Sequence, residues 1–316
     1  MSEQIDRDKI EWKKDFIERF EKLTNIDEFK KYSLTFLRRC IRVNTLKCSV
    51  SDMKKILDKN GWKYEQIPWC KEGFYVNNPD RRDIGNITEH ALGYFYVQEA
   101  ASMIPPIVLN PNPGDIVLDM CAAPGSKSTQ IASMIENKGL LVSNDSDASR
   151  INALILNLGR CGVTCSIVTN QTGERFRGLM FDKILLDAPC SGIGTIRKSL
   201  KTIRMWNPRM ATKIAKTQKE LILTAWEMLK PNGILVYSTC TLEPEENEGV
   251  IDYLIKNRDN VEVLPIELDI KRSEPVMEFE GAIYDKQIKN VLRIWPQDND
   301  TEGFFVAKIR KNLRTK

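Results

Sequence analysis

From about residue 110 onward, short apolar runs alternate with segments whose apolar residues recur at helical spacing. Ile116 to Met120 reads as a strand and Ser126 to Glu136 as a helix. Leu140 to Ser143 reads as a strand, and Asp147 to Leu158 as a helix ended by Gly159. Strands follow at Val163 to Val168 and Asp182 to Leu186. A long helix from Met210 to Leu229 stops at Pro231-Asn232-Gly233, ahead of a strand from Ile234 to Ser238. A helix from Glu245 to Lys256 and a strand from Gly303 to Ile309 close the series. This alternation predicts an α/β fold, a mostly parallel sheet with helices on both faces. The segment from Pro265 to Pro296 follows neither period and receives no element.

The first part, up to about Gly93, has a different pattern. Charged amphipathic helices are expected over Arg7 to Glu21 and Asp27 to Leu37, then a strand at Cys40 to Asn44. A helix from Ser51, taken as its N-cap, runs to Asn60 and stops at Gly61; a strand follows at Gly73 to Val76. This predicts a small α+β domain over 1–93 ahead of a larger domain over 94–316.

With 316 residues, 42% of them hydrophobic and 28% charged, the chain has the composition of a globular protein with a sizeable core. No apolar run approaches a membrane span, and the charged N-terminus does not resemble an export signal. Eight cysteines without a CxxC pair read as reduced thiols of a cytoplasmic protein, and no metal site is expected. His90, the one histidine, is assigned a structural role, which removes histidine-based triads and metal centres. Chemistry must then rest on Cys, Asp, Lys and backbone. Between Ile196 and Lys219 lie eight basic residues and no acidic one, a pattern fitting a track for phosphates.

Two of the cysteines end strand-like runs. Cys190 follows Ile184-Leu185-Leu186-Asp187 within Ala188-Pro189-Cys190-Ser191-Gly192, and Cys240 follows Ile234-Leu235-Val236-Tyr237 within Ser238-Thr239-Cys240. Ligands of open α/β sheets collect outside the carboxyl ends of strands, so neighbouring runs would point two thiols into one cleft. A thiolate is a strong nucleophile near neutral pH. The pattern leaves open which of the two attacks.

The link from the first strand to its helix, Asp119-Met120-Cys121-Ala122-Ala123-Pro124-Gly125-Ser126-Lys127-Ser128, has the small residues of a ligand-binding turn. Cys121 and Ser126 stand where a P-loop needs glycine, and Ala123 and Ser128 where a dinucleotide fingerprint needs it. A cofactor without phosphates suits this turn better, and S-adenosylmethionine is the candidate. Asp145, ending the second strand, is placed to accept the hydroxyls of a ribose, with Asp147 left to cap the next helix.

The blocks Asp119 to Ser128, Asp187 to Gly192 and Ser238 to Asn247 resemble the signature blocks of the Nop/Sun family of RNA cytosine carbon-5 methyltransferases. Arg42-Val43-Asn44-Thr45, Tyr96 to Ser102 and Gly303 to Lys308 also resemble that family, and the matches run in order from about residue 40 to 310. The likeness is greatest to short archaeal transfer-RNA members without an added PUA domain. The resemblance implies a Rossmann-like S-adenosylmethionine-dependent methyltransferase domain preceded by an RNA-recognition-like domain. It implies cofactor contacts from Cys121, Ala122, Ala123, Pro124, Gly125, Ser126, Lys127, Asp145, Arg150 and Asp187. Asn170 stands where the family usually has an aspartate near the adenine, and an amide can still bond that edge.

The resemblance further implies that Cys240 attacks carbon 6 of cytosine and that Cys190 assists release; Asp187, the carboxylate flanking the site, is expected to serve nitrogen 3 of the ring. Positive charge from the donor or from Lys127 is expected to favour the Cys240 thiolate. The expected partner is RNA, transfer RNA ahead of ribosomal RNA, with a monomer as the default assembly. A non-catalytic RNA-binding protein, or a methyltransferase of small molecules or proteins, are the competing classes.

Overall fold

The computed structural model describes residues 10–78 and 84–313. In chain order the helices are α1 (Lys14–Phe20), α2 (Ile26–Ser33), α3 (Val50–Lys59), α4 (Thr88–Ala91), α5 (Ile104–Leu109), α6 (Ser126–Met134), α7 (Ala148–Cys161), α8 (Lys201–Met205), α9 (Pro208–Met228), α10 (Glu248–Asn257) and α11 (Pro296–Asn299). The strands are β1 (Cys40–Val43), β2 (Lys63–Gln66), β3 (Gly73–Asn77), β4 (Phe95–Val97), β5 (Ile116–Asp119), β6 (Leu140–Asn144), β7 (Ser166–Thr169), β8 (Phe181–Asp187), β9 (Leu229–Thr239), β10 (Val261–Leu264), β11 (Glu278–Phe279), β12 (Ala282–Ile283), β13 (Leu292–Ile294) and β14 (Phe304–Lys311).

The large sheet runs in the order β10-β14-β9-β8-β5-β6-β7, with β13 paired to β14. Strands β5 to β9 are mutually parallel, whereas β14 lies antiparallel to β9. The chain leaves β5 toward β6 and β7, then returns to β8 and β9 on the other side. That reversal opens a crevice at the carboxyl ends of β5, β6 and β8. Alternation along the buried strands divides the core. Leu118, Ile184, Leu186, Leu235 and Tyr237 face α9 and α10, while Val117, Leu185 and Val236 face α5 and α6. Among the described residues no helix is long and apolar enough to cross a membrane.

The small sheet is antiparallel in the order β2-β3-β1-β4. One face packs on α3 through Ile41, Val43, Phe74 and Phe95, and Cys40 and Tyr75 turn toward the large domain. Two of its strands, β2 and β4, carry no strong strand signal, and β4 lies beyond the expected boundary at 93. Helices α1 and α2 do not pack on this sheet. Phe16, Phe20 and Phe29 form an aromatic cluster with Trp206 and Trp295 of the large domain.

Several expected boundaries shift for local reasons. Ser49, not Ser51, caps α3, because its hydroxyl accepts from the Asp52 N–H at 3.0 Å. Gly159 lies inside α7, and Gly162, at φ 75°, ends it. Helix α2 stops at Ser33. Of the helix expected over Arg7 to Glu21, residues 7–9 lie outside the described residues, and the described helix begins at Lys14. The unassigned segment Pro265 to Pro296 holds the β11–β12 hairpin and β13.

Candidate active site

Strand β5 ends at Asp119 and α6 begins at Ser126, so Met120 to Gly125 turn the chain across the crevice. Gly125 has φ 105°, and a Cβ there would come within 3.0 Å of Leu154. No side chain caps α6, which leaves first-turn donors to a ligand. Asp119 is fully buried; its Oδ2 accepts from Ser128 Oγ at 2.6 Å, and its Oδ1 has no partner. Burial pushes this carboxyl up to about 7 against the pull of the Ser128 hydrogen bond. Burial likewise holds the Cys121 thiol well above its ordinary range.

Asp145 lies at the end of β6, facing the same turn. Its Oδ2 accepts from the Ala123 N–H at 3.0 Å and its Oδ1 from the Asp147 N–H at 3.0 Å. Asp147 caps α7, as expected, by accepting from the Ser149 N–H. Arg150 approaches Asp145 at 3.6 Å and donates to the Ala123 carbonyl. Asn170 is exposed, and its amide donates to the Asp145 carbonyl at 2.8 Å. The crevice therefore gathers the whole 121–127 turn with Asp145, Arg150 and Asn170.

The two cysteine loops meet because β8 and β9 are neighbours in register, Asp187 opposite Ser238. Cys190 Sγ and Cys240 Sγ are 3.3 Å apart. The hydrogen bond to Cys240 and burial together hold the Cys190 thiol well above its ordinary range. Asp187 Oδ2 contacts Lys127 Nζ at 2.7 Å, and Ser238 Oγ donates to Asp187 Oδ1 at 2.7 Å. Burial opposes the Lys127 charge, but Asp187, Asp119 and Cys240 outweigh it and raise its pKa. The ammonium expected to serve Cys240 is thus in direct contact with Asp187.

The loops are held by residues that local pattern did not single out. The Cys240 carbonyl accepts from the Gly194 N–H at 2.9 Å; a Cβ at Gly194 would lie 2.1 Å from the Gly303 oxygen, so that position admits only glycine. Ser191 Oγ and Thr241 Oγ1 are 2.6 Å apart, and buried Glu246 accepts from the Ser191 N–H and from Gln218 Nε2. Arg19 of α1 bonds Glu243 and Glu245, and the third carboxylate, Glu280, comes from the β11–β12 hairpin. Trp206 Nε1 donates to Glu243 at 2.8 Å. The one available signal was the acidic run Glu243-Pro244-Glu245-Glu246, which needs cations from elsewhere in the chain.

The basic stretch divides in two. Arg197 is buried and donates to Thr301 O, Thr35 Oγ1, Phe36 O and Asp300, so it is structural and unavailable to a phosphate. Lys198, Lys201, Arg204, Arg209, Lys213 and Lys216 are exposed, and Lys219 lies over the Tyr253 ring. Trp206, which lies within this basic run in the sequence, is in the aromatic core. A cavity of about 980 Å³ between the two domains is lined by Pro68, Trp69 and Asn110 to Pro113. It lies toward the amino end of β5, away from Cys190 and Cys240.

Residues 106–310 match the family model described as 16S rRNA methyltransferase RsmB/F, and residues 13–100 match the N-terminal domain of 16S rRNA methyltransferase RsmF. A tRNA (cytosine(49)-C(5))-methyltransferase of Pyrococcus abyssi is 46% identical over 94% of this chain and 96% of the relative. A ribosomal RNA small subunit methyltransferase F of Shewanella oneidensis is 43% identical over 91% of this chain, which spans only 60% of that relative. A crystal structure of NSun6 from Pyrococcus horikoshii with SFG superposes with a TM-score of 0.79 at 26% identity, covering 91% of this chain and 94% of the other.

Proposed function

The chain belongs to the RsmB/F family of methyltransferases, and from that premise we propose that it methylates carbon 5 of a cytosine in transfer RNA, with S-adenosylmethionine as donor and Cys240 as nucleophile. Methylation of RNA cytosine follows from the family and from the 46% identical relative. Transfer RNA is favoured over ribosomal RNA because the transfer-RNA relative is 46% identical, against 43% for the ribosomal RNA relative. The observation that carries the mechanism is the pair of thiols 3.3 Å apart beside the Lys127–Asp187 contact.

The residues present fit the donor. An uncapped helix start, a left-handed glycine and the unpartnered Asp119 Oδ1 surround a turn made of small side chains. Cys121, Ala122, Ala123, Pro124, Gly125, Ser126, Lys127, Asp145, Arg150, Asn170 and Asp187 would hold it. SFG, an analogue of S-adenosylmethionine, is named with the NSun6 neighbour of the same fold. When bound, S-adenosylmethionine supplies an electrophilic methyl group.

Carbon 5 of cytosine is a poor nucleophile. Addition of the Cys240 sulfur to carbon 6 makes the ring an enamine and activates carbon 5. Nitrogen 3 must then gain a proton or a strong hydrogen bond, and the Lys127–Asp187 pair holds such a proton. Release requires loss of the carbon 5 proton to water and departure of the Cys240 sulfur, and the Cys190 thiol, 3.3 Å from that sulfur, assists by giving it a proton as it leaves. A base within an RNA fold must leave its stack, at a cost of a few kcal/mol. The exposed cations from Lys198 to Lys216 can offset that cost through phosphate contacts.

The test is a pair of substitutions assayed with tritiated donor and transfer RNA. Cys240→Ala abolishes transfer, and Cys190→Ala accumulates a covalent protein–RNA adduct on a denaturing gel. The reverse pattern overturns the assignment of roles, and methyl incorporation confined to ribosomal RNA overturns the choice of substrate.

A further inference from the structure

Arg42 lies in β1 of the small sheet, is 1% exposed, and has no carboxylate hydrogen-bonded to it among the described residues. A buried charge without a counterion is costly, and burial lowers its pKa. Its donors go instead to four neutral acceptors. One terminal nitrogen donates to Gln98 Oε1 at 2.5 Å, to the Ser126 carbonyl at 2.7 Å and to Gln130 Oε1 at 3.3 Å; the other donates to Thr129 Oγ1 at 2.9 Å. Three of these four acceptors lie in the first five residues of α6, and Ser126 is the residue on which the cofactor turn ends.

The fourth acceptor leads to the reacting groups. Gln98 Nε2 donates to the Ser102 carbonyl at 3.0 Å, and Ser102 Oγ accepts from Lys127 Nζ at 3.1 Å. Lys127 contacts Asp187 at 2.7 Å. A connected set of hydrogen bonds and short side-chain links therefore runs from the small sheet through Gln98 and Ser102 to the Lys127–Asp187 pair. We propose that Arg42 is a positioning residue that sets the start of α6 and the Lys127 ammonium, so that the small domain tunes donor affinity in the large one. A planar guanidinium reaches four acceptors in fixed directions, which an ammonium cannot do.

Asn44, two residues along and also buried, provides the control. It bonds the Gly93 carbonyl and joins the same sheet to the large domain through the Cys161 carbonyl and by accepting from Ser133 Oγ, without touching the turn. The experiment is calorimetric titration of the full chain with S-adenosylhomocysteine, alongside thermal melts. Arg42→Lys is expected to weaken binding at least tenfold, while Asn44→Ala, with a comparable loss of melting temperature, stays within twofold of wild type. Gln98→Ala breaks the relay without adding or removing buried charge and is expected to weaken binding about threefold, so the test survives poor folding of an Arg42 variant. Wild-type affinity in Arg42→Lys, or an equal loss in Asn44→Ala, overturns the proposal. The inference rests on the donor reading above: failure of the wild-type protein to bind S-adenosylhomocysteine overturns both, whereas binding by wild type with no effect of Arg42→Lys overturns this one alone.

Discussion

The cofactor turn and the cysteine loops sit side by side at one end of the sheet, yet they are held in place differently. Within the turn itself the bracing is short-range, Ser128 bonding Asp119 nine positions back and Ala123 bonding Asp145, with Arg42 and Asp187 as its distant partners. The cysteine loops depend on distant ones. Arg19 reaches Glu243 across 224 positions, and Arg293 holds the Leu242 carbonyl and Glu248 from the far side of the segment after α10. The difference predicts a separation of effects. Damage to the distant braces should reduce methyl transfer at saturating donor, and damage within the turn should reduce donor binding.

The strongest break in that comparison is Arg19→Met. Burial opposes the Arg19 charge, but Glu243 and Glu245 override it and keep its pKa raised. Removing the guanidinium leaves Glu243, 1% exposed, without its ion-pair partner three residues after Cys240. Breaking a buried ion pair costs about 3–5 kcal/mol. We expect a loss of that order in urea unfolding, a kcat reduced more than tenfold, and affinity for S-adenosylhomocysteine within twofold of wild type. Equal losses in kcat and affinity would erase the separation.

Ser128→Ala acts on the other side. It leaves buried Asp119 with neither oxygen hydrogen-bonded, a loss of about 1–3 kcal/mol. Titration with S-adenosylhomocysteine should show weaker binding, while kcat at saturating donor stays within twofold. A fall in kcat with unchanged affinity would place Asp119 in the chemistry of the cysteine loops.

The same contrast explains what could be read without coordinates. The turn was legible because its residues are contiguous and their small size is itself the signal. Both cysteines were legible because each ends an apolar run, and their meeting required only that β8 and β9 be neighbours. The clamp on those loops was not legible, since Arg19, Glu243 and Glu280 are joined by nothing local in the chain. The basic run misled at Arg197 for a related reason: its partners at Thr35, Asp300 and Thr301 lie far off, so a buried cation looked the same as an exposed one. Strand β4 escaped notice because three residues carry too little alternation, and Pro265 to Pro296 because its pieces gain order only by packing on β14 and α10.

The smallest expected effect, from Glu246→Gln, tests the cysteine side through pH. Burial pushes Glu246 from 4.5 up to about 7, against its hydrogen bonds from Ser191 and Gln218. The folded state thus holds a proton that the unfolded chain releases near 4.5, and stability falls as pH rises from there to about 7. Asp119, at about 7, and Glu302, at about 8, slope the same way, so the informative quantity is the difference between variant and wild type. An amide carries no charge to lose and can still accept from the Ser191 N–H. The melting temperature of Glu246→Gln should match wild type near pH 4.5 and exceed it at pH 8. A relief of about 1 kcal/mol corresponds to a rise of ~2 °C in a chain of this size. Glu246 also contributes to the raised Cys190 pKa, so its neutralisation should lower the pH at which Cys190 reacts with a thiol reagent. An unchanged pH profile of Cys190 alkylation, with the stability difference present, would show that Glu246 braces the Ser191 backbone without tuning the neighbouring thiol.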